Sequence, residues 1–356
     1  MNVLTQYIVK EVLKGSFIAV LCLLTLFNLF TFSDELGDLG KGNYGLKEII
    51  YYVALTSPTV FYELIPAAAL LGSLFILGNM ANNRELVAMQ ASGLSIFGII
   101  KAVLVAGVIM VSIAFLVGEF VAPLGERLGQ KLKLTAQNQN AIMHSRYGLW
   151  LREGNQFINV RRIQDDGKLA LINIYEIDAE RHLKHLTFAR QATFLGNKQW
   201  QLQLLKETEV SNQKMHAKTQ RQRIWKSSIE PNLFKMVTVN PNNMALYDLA
   251  MYIDFLKTNH QKSHIFEMAF WGRVINPLVT FVMLLVSVPF VIGIKRGTSQ
   301  GSRILIGVVI GMGFNIIDKI ASHLGLIYEM NAPLIAIFPS LIFLLVALVA
   351  IRKSQS

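Results

Sequence analysis

The chain is 356 residues long, 53% hydrophobic and only 16% charged, with a formal net charge of +11. Soluble domains carry about a quarter charged residues, so this balance excludes an ordinary soluble domain. The single cysteine, Cys22, excludes an internal disulfide.

A helix needs roughly 20 apolar residues to cross a bilayer core of about 30 Å. Six stretches qualify: Ser16–Phe32, Ile49–Met80, Ile96–Val121, Phe270–Ile294, Ile304–Ala321 and Ala332–Ile351. The expected fold is therefore an α-helical polytopic membrane protein with six transmembrane helices. Ahead of the first span, Thr5–Lys14 sets Tyr7, Ile8, Val12 and Leu13 beside Lys10, Glu11 and Lys14. That fits either a short amphipathic helix at the interface or a plain extension of the span. No small-x-small cleavage pattern precedes Asp34-Glu35, so the first helix is expected to stay uncleaved.

In the second span, Pro58, Pro66 and Gly72 are expected to bend or thin the helix and open a lateral groove. Glu63 lies between the two prolines, and Asp318-Lys319 lies late in the fifth span. Ionisable groups at such depths face a wet bundle interior or snorkel to the interface. Gly311 and Gly313 would allow close helix approach, although small residues in spans commonly just pack.

Between the second and third spans runs NNRELVAMQASGLS (82–95). As a helix from Arg84 to Ala91 it projects Glu85, Ala88, Met89 and Ser92 along one face. Such a face suits a partner's groove, with the acid pairing to a partner's arginine. A solvated turn between spans is the alternative.

The stretch from Pro123 to Glu267 changes from helical to strand periodicity. GLWLREGNQFINVRRI (148–163) reads as two strands joined by a Gly-Asn turn, followed by strands over 170–178, 185–195 and 200–210. Short alternating strands with frequent turns indicate an antiparallel sandwich or roll. Helical flanks are expected over Glu126–Asn138 and Met244–Leu256, the latter after an Asn-rich cap. The division is thus 1–122 with three helices and the coupling segment 82–95, 123–267 with a β-rich part at about 145–240, and 268–356 with three helices.

Orientation follows from basic residues in the short loops. Lys10, Lys14, Arg84, Lys101, Lys295, Arg296, Arg303, Arg352 and Lys353 fall on one side, which makes both termini and the segment 82–95 cytoplasmic. The large domain then lies outside, despite holding most of the basic surplus, because large domains translocate largely regardless of charge. Its dispersed basicity fits an anionic environment or substrate, with no motif for nucleic acid.

No phosphate loop, HExxH or GxSxG motif is present. His260 and His264 lie in the polar stretch TNHQKSH with no glutamate between them, and His182 and His185 sit at a turn. These patterns favour a solvated connector and a turn over metal ligation. Neither an enzyme nor a resident metal or cofactor is expected.

NNRELVAMQASGLS, GEFVAPLGERL (118–128), LYDLAMYIDFLK (246–257), FWGRVINPL (270–278) and FPS (338–340), in that order, resemble the LptF/LptG permease family of lipopolysaccharide exporters over essentially the whole chain. The wording ELVAMQASG is closer to the LptG branch than to the LptF branch. The resemblance implies a heterodimer with an LptF-like paralogue, an LptB-like ATPase dimer holding ATP and Mg, an LptC-like partner, and a periplasmic β-jellyroll between the third and fourth spans. It implies an inner-membrane permease that extracts lipopolysaccharide and passes it onward, with no nucleic acid involved. Arg84, Glu85, Ala88, Met89 and Ser92 then belong to the ATPase-coupling helix. Phe30, Phe61, Leu64, Ile65 and Ile316 become candidates for acyl-chain contact. Family lysines near the outer end of the first span are replaced here by Thr31, Gly37 and Asp38, so Lys41, Lys47, Lys131, Lys133 and Lys319 are the candidates for lipid phosphates. The rival readings are a membrane subunit of a lipoprotein-releasing or mechanotransmitting ABC system, which usually has four spans, and a non-transport scaffold.

Overall fold

The computed structural model describes residues 3–137, 148–164, 167–178, 180, 182–210, 215–231, 240–292 and 300–355. The chain divides into two compact units. Met1–Gly37, Ile49–Gly129 and His264–Ser356 form a helical unit, and Asp38–Glu48 with Gln130–Ser263 form a sheet unit. Lys295, Arg296 and Asn138 lie outside the described residues, as do parts of 145–240.

In chain order the helices are α1 (Val3–Leu36), α2 (Leu46–Asn82), α3 (Glu85–Ala91), α4 (Ile96–Leu116), α5 (Ala122–Ala136), α6 (Leu246–Thr258), α7 (His264–Ile292), α8 (Gln300–Ile327) and α9 (Ala332–Gln355). Among the described residues, six helical runs are long and apolar enough to cross a membrane. The chain is a polytopic membrane protein with a separate antiparallel sheet. α1 runs from Val3 to Leu36 without a break, so Thr5–Lys14 is continuous with the helix of the first span. A π turn, Val117–Val121, joins α4 to α5, and the helical path continues to Ala136.

The core of the helical unit is built from Ile8, Val12, Ala68, Leu70, Ala106 and Leu284 and their neighbours. Close packing with small residues replaces the missing hydrophobic drive between helices in lipid. At Gly72 a Cβ would lie 2.3 Å from the Ser16 Cα, and at Gly15 one would lie 2.2 Å from the Ile76 side chain. Gly72 therefore brings α1 and α2 into backbone contact, and this, not a thinned helix, is its use here. Pro58 and Pro66 are accommodated inside a continuous α2. Gly311 and Gly313 have open space where a Cβ would go, so neither supports a helix crossing within this chain.

The sheet unit holds β1 (Leu149–Glu153), β2 (Gln156–Ile163), β3 (Leu169–Ile177), β4 (Leu183–Gly196), β5 (Gln199–Val210) and β6 (Met215–Lys226). Among the described residues they make one antiparallel meander in sequence order. Gly154 takes φ 56° in the β1–β2 turn, the reversal its sequence demands. Side chains of Ile158, Val160, Leu169, Ile172, Trp200 and Leu205 form the buried face. The pairing skips one line across four ladders, between Arg161 and Leu171, Leu171 and Arg190, Arg190 and Leu204, and Leu204 and Arg221. Leu171 and Leu204 take φ 55° and 50° there. Left-handed leucines are rare, and here they reset which side chains face the core.

β6 has no counterpart in the periodicity, because it is exposed along nearly its whole length. Asn240 caps the short 3-10 turn Pro241–Asn243, accepting from the Asn242 amide at 3.0 Å. Helix α6 starts one turn later without a side-chain cap. Its buried stripe is Leu249, Tyr252, Phe255 and Leu256, with Leu246 and Ile253 half-buried beside it.

Candidate functional site

The segment 82–95 folds back on the bundle. Arg84 takes φ 60°, which reverses the chain after α2 and starts α3. Leu86 and Met89 are buried in the bundle core and anchor α3 to it. Met89, only 8% exposed, is thus an anchor and leaves the outward face that spacing gave it. The outward residues are Arg84, Val87, Ala88, Gln90, Ala91 and Ser92. Glu85 is half-buried. Its carboxylate accepts from the Tyr7 hydroxyl of α1 at 3.0 Å and from Asn83 Nδ2 at 3.3 Å. Gly93, at φ 96°, ends the segment, and Ser95 caps α4 by accepting from the Gly98 amide at 3.2 Å.

A second tie meets the end of α2. Arg303 of α8 is 4% exposed. One guanidinium nitrogen donates to the Gly78 carbonyl, and Nη2 donates to Asn82 Oδ1 at 2.9 Å. The planar fork lets one side chain hold two acceptors on the last turn of α2. Arg303 was read in the sequence only as a loop cation. Its burial was not legible there.

α1 and α8 are the least covered spans. Only 17% of the most apolar window is buried in each, against 56% in α2. Phe30 of α1 and Ile316 of α8 are exposed, and Phe61 of α2 is half-buried. Leu64 and Ile65 do not join them. They are 8% and 3% exposed, and so are unavailable to an acyl chain. Cys22 is exposed on α1.

Arg273, inside FWGRVINPL, is buried where α2, α7 and the π turn meet. Its Nη2 donates to the Gly118 carbonyl at 3.2 Å, and Nη1 lies 3.6 Å from Glu119. The guanidinium sits 5.2 Å from the Tyr62 ring centroid, and the Tyr62 hydroxyl donates to the Arg273 carbonyl at 3.4 Å. π turns interrupt the regular i→i−4 ladder, which leaves room for an arginine at the Gly118 carbonyl. A lone arginine in an apolar run is the sequence signal for such a site. Glu63 and Lys319 are exposed within the chain, and Asp318 is half-buried.

In the sheet unit, two candidate lysines meet. Lys41 Nζ lies 2.5 Å from Asp38 Oδ1, and Lys133 Nζ lies 2.9 Å from Oδ2. Gln137 donates to the same carboxylate at 3.4 Å, and Lys133 covers the buried Tyr44 ring. The hydrogen bond from Lys41, and next that from Lys133, hold the Asp38 carboxyl well below the usual carboxylate range. Lys47 and Lys131 are exposed in the same unit, whereas Lys319 belongs to the helical unit. His264 bonds to the Gly325 carbonyl at 3.0 Å and His260 is exposed, so the two are no ligand pair.

A helix anchored by Leu86 and Met89 with an acid at its first position, joined to a six-span bundle and an antiparallel sheet, matches one family model over residues 6–353: "Lipopolysaccharide export system permease LptF/LptG". The chain belongs to the LptF/LptG family. It is 30% identical over 344 residues to the lipopolysaccharide export system permease protein LptG of Haemophilus influenzae, covering 96% of each chain. It is 30% identical over 356 residues to the LptG protein of Escherichia coli, covering 99% of each. These relatives place the chain beside the LptG branch of the LptF/LptG family.

Proposed function

We propose that this LptF/LptG family chain is a permease subunit that exports lipopolysaccharide from the outer leaflet of the bacterial inner membrane, driven by a separate ATPase. It pairs with an LptF-like paralogue, and an LptB-like dimer binds ATP and Mg on the cytoplasmic side beneath α3. The sheet unit is the periplasmic β-jellyroll, and it meets an LptC-like partner. The meander with its line of left-handed leucines supports a strongly curved sheet of that kind.

One observation carries the mechanism. The α3 segment is tied to α1 through Tyr7 and Glu85, and the end of α2 beside it is tied to α8 through Arg303. α1 and α8 are also the two spans with most apolar surface left uncovered. Displacement of α3 by a closing ATPase dimer is thereby delivered to the two helices that line the lipid cavity. Phe30 and Ile316 offer apolar surface to acyl chains, with Phe61 at the margin. Lys41 and Lys133, kept together by Asp38, offer ammonium groups to phosphates, with Lys47, Lys131 and Lys319 as further cations. The chain itself binds no nucleotide and makes or breaks no bond of the substrate.

Replacing Glu85 with Lys removes the acceptor for Tyr7 and puts like charge toward a partner's arginine. Copurification of the ATPase is expected to fall at least tenfold, and lipopolysaccharide crosslinking to a probe at position 30 is expected to disappear. Unchanged copurification with unchanged crosslinking would overturn the coupling role of α3.

A further inference from the structure

One face of the sheet lines an open cavity of about 390 Å³, in which Glu176 and His185 are half-buried and Glu209 and His216 exposed. Across it runs a row of four side chains in strict register on four neighbouring strands. Glu176 of β3 pairs with His185 of β4, His185 with Glu209 of β5, and Glu209 with His216 of β6. All four line the same cavity, so they share one face. Directly paired residues on one face have Cβ atoms about 4.5–5.5 Å apart, which makes the row continuous.

Two further observations point to a ligand. Among the described residues, none of these four side chains has a hydrogen bond or ion pair within the chain, although each stands beside a chemically matched neighbour. By contrast, Glu207 in the next row is committed, accepting from Arg223 and from Gln220 at 3.3 Å. The cavity also carries three carboxylates, Glu176, Glu207 and Glu209, against two fixed cations, Lys218 and Arg223. A surplus of acid in a chain of net charge +11 favours a cation.

We propose that His185, Glu209 and His216, with Glu176 beside them, bind one divalent transition-metal ion of the zinc class. Imidazole and carboxylate are the ligands such ions take, with metal–nitrogen distances of about 2.0–2.1 Å. The strands holding the two histidines are two spacings apart, about 10 Å, and their rings lean across Glu209 to reach one ion. Among the described residues the donor atoms of this row are not yet gathered around one point, so binding requires the side chains to rotate inward, which no described hydrogen bond or ion pair opposes. The ion fastens β6, the exposed last strand of the meander, to β4 and β5.

The test uses the full chain purified with its partner subunits, nucleotide-free and dialysed against a chelator. Cobalt(II), a spectroscopic stand-in for zinc, is titrated in. One equivalent per chain is expected, with the visible d–d absorption of a low-coordinate site. H185A and H216A are each expected to weaken it by more than about tenfold, as loss of a ligand must exceed loss of a supporting group. H182A provides the contrast, because Asp178, Glu180 and His182 form a different cluster at the β3–β4 turn, the one whose donor atoms already lie close together. Zinc is also expected to slow amide exchange in β6 of the parent and not of H216A, and the zinc-free variants should melt with the parent. Absence of saturable binding, binding that survives H185A/H216A together, or loss of binding in H182A instead would each overturn the proposal.

Discussion

In the helical unit, Arg273 and Arg303 are buried and each ends on a backbone carbonyl, while in the sheet unit Lys41 and Lys133 reach one carboxylate from the surface. The difference teaches what each charge is for. A carbonyl brings no compensating charge, so a buried guanidinium placed on one depends on two helices keeping their relative position. Glu119 at 3.6 Å and the Tyr62 ring help Arg273, and Asn82 helps Arg303. The lysines on Asp38 have water as an alternative partner, and little is lost when they part.

The largest effect is expected from Arg273→Ala. It removes the guanidinium beside Glu119 near the π turn and uncovers the Tyr62 ring, and breaking a buried pair costs about 3–5 kcal/mol. Thermal melting in detergent should fall by many degrees, and a change of under about 1 kcal/mol would show that water substitutes for the guanidinium. Arg303→Lys should have an intermediate effect. The ammonium keeps the charge but cannot hold Gly78 and Asn82 as a planar fork does. Stability is expected to drop by about 1–2 kcal/mol, with a larger loss in lipopolysaccharide-stimulated ATP turnover than in ATPase copurification. Equal loss of both would make Arg303 a docking residue instead of a link between helices.

The smallest effect is expected at Asp38. Its folded carboxyl is held low, so its contribution is fully present above the unfolded value of about 4. The contribution disappears as pH falls through the depressed folded value. Between neutral pH and about pH 5 Asp38 should add no pH dependence to the melting temperature, and Asp38→Asn should flatten the acid limb below that. Because Asp38 and Lys41 are solvent-accessible, added salt should erase most of the difference. A melt of the variant that kept the parent's acid limb would remove Asp38 as its source.

The spans were legible because an apolar run of the right length has few other uses, and β1 to β5 because their apolar residues come in short stretches bounded by turn residues. β6 was not, since MHAKTQRQRIWK is exposed on both faces and has no alternation to read. Spacing placed Met89 with Glu85 and Ala88, yet it cannot tell which side of a helix meets its own bundle. Leu64 and Ile65 came from the family resemblance, which does not tell which side of α2 meets its own bundle, and both are buried there. The resemblance to the family pointed to the α3 segment, but the acceptor role of Glu85 toward Tyr7 joins residues far apart in sequence and needed coordinates. The left-handed leucines left no trace, because nothing in their sequence surroundings distinguishes them from ordinary strand residues.

The backbone contact at Gly15 and Gly72 has a mechanical corollary. With no side chain between the helices, α1 has a fixed point against α2, eight residues from Tyr7 and fifteen from Phe30. At 1.5 Å per residue those arms measure about 12 Å and 22 Å. A stiff α1 rocking on that fulcrum would swing its far end nearly twice as far as its near end, so a stroke of 1 Å at Tyr7 becomes roughly 2 Å of travel at Phe30.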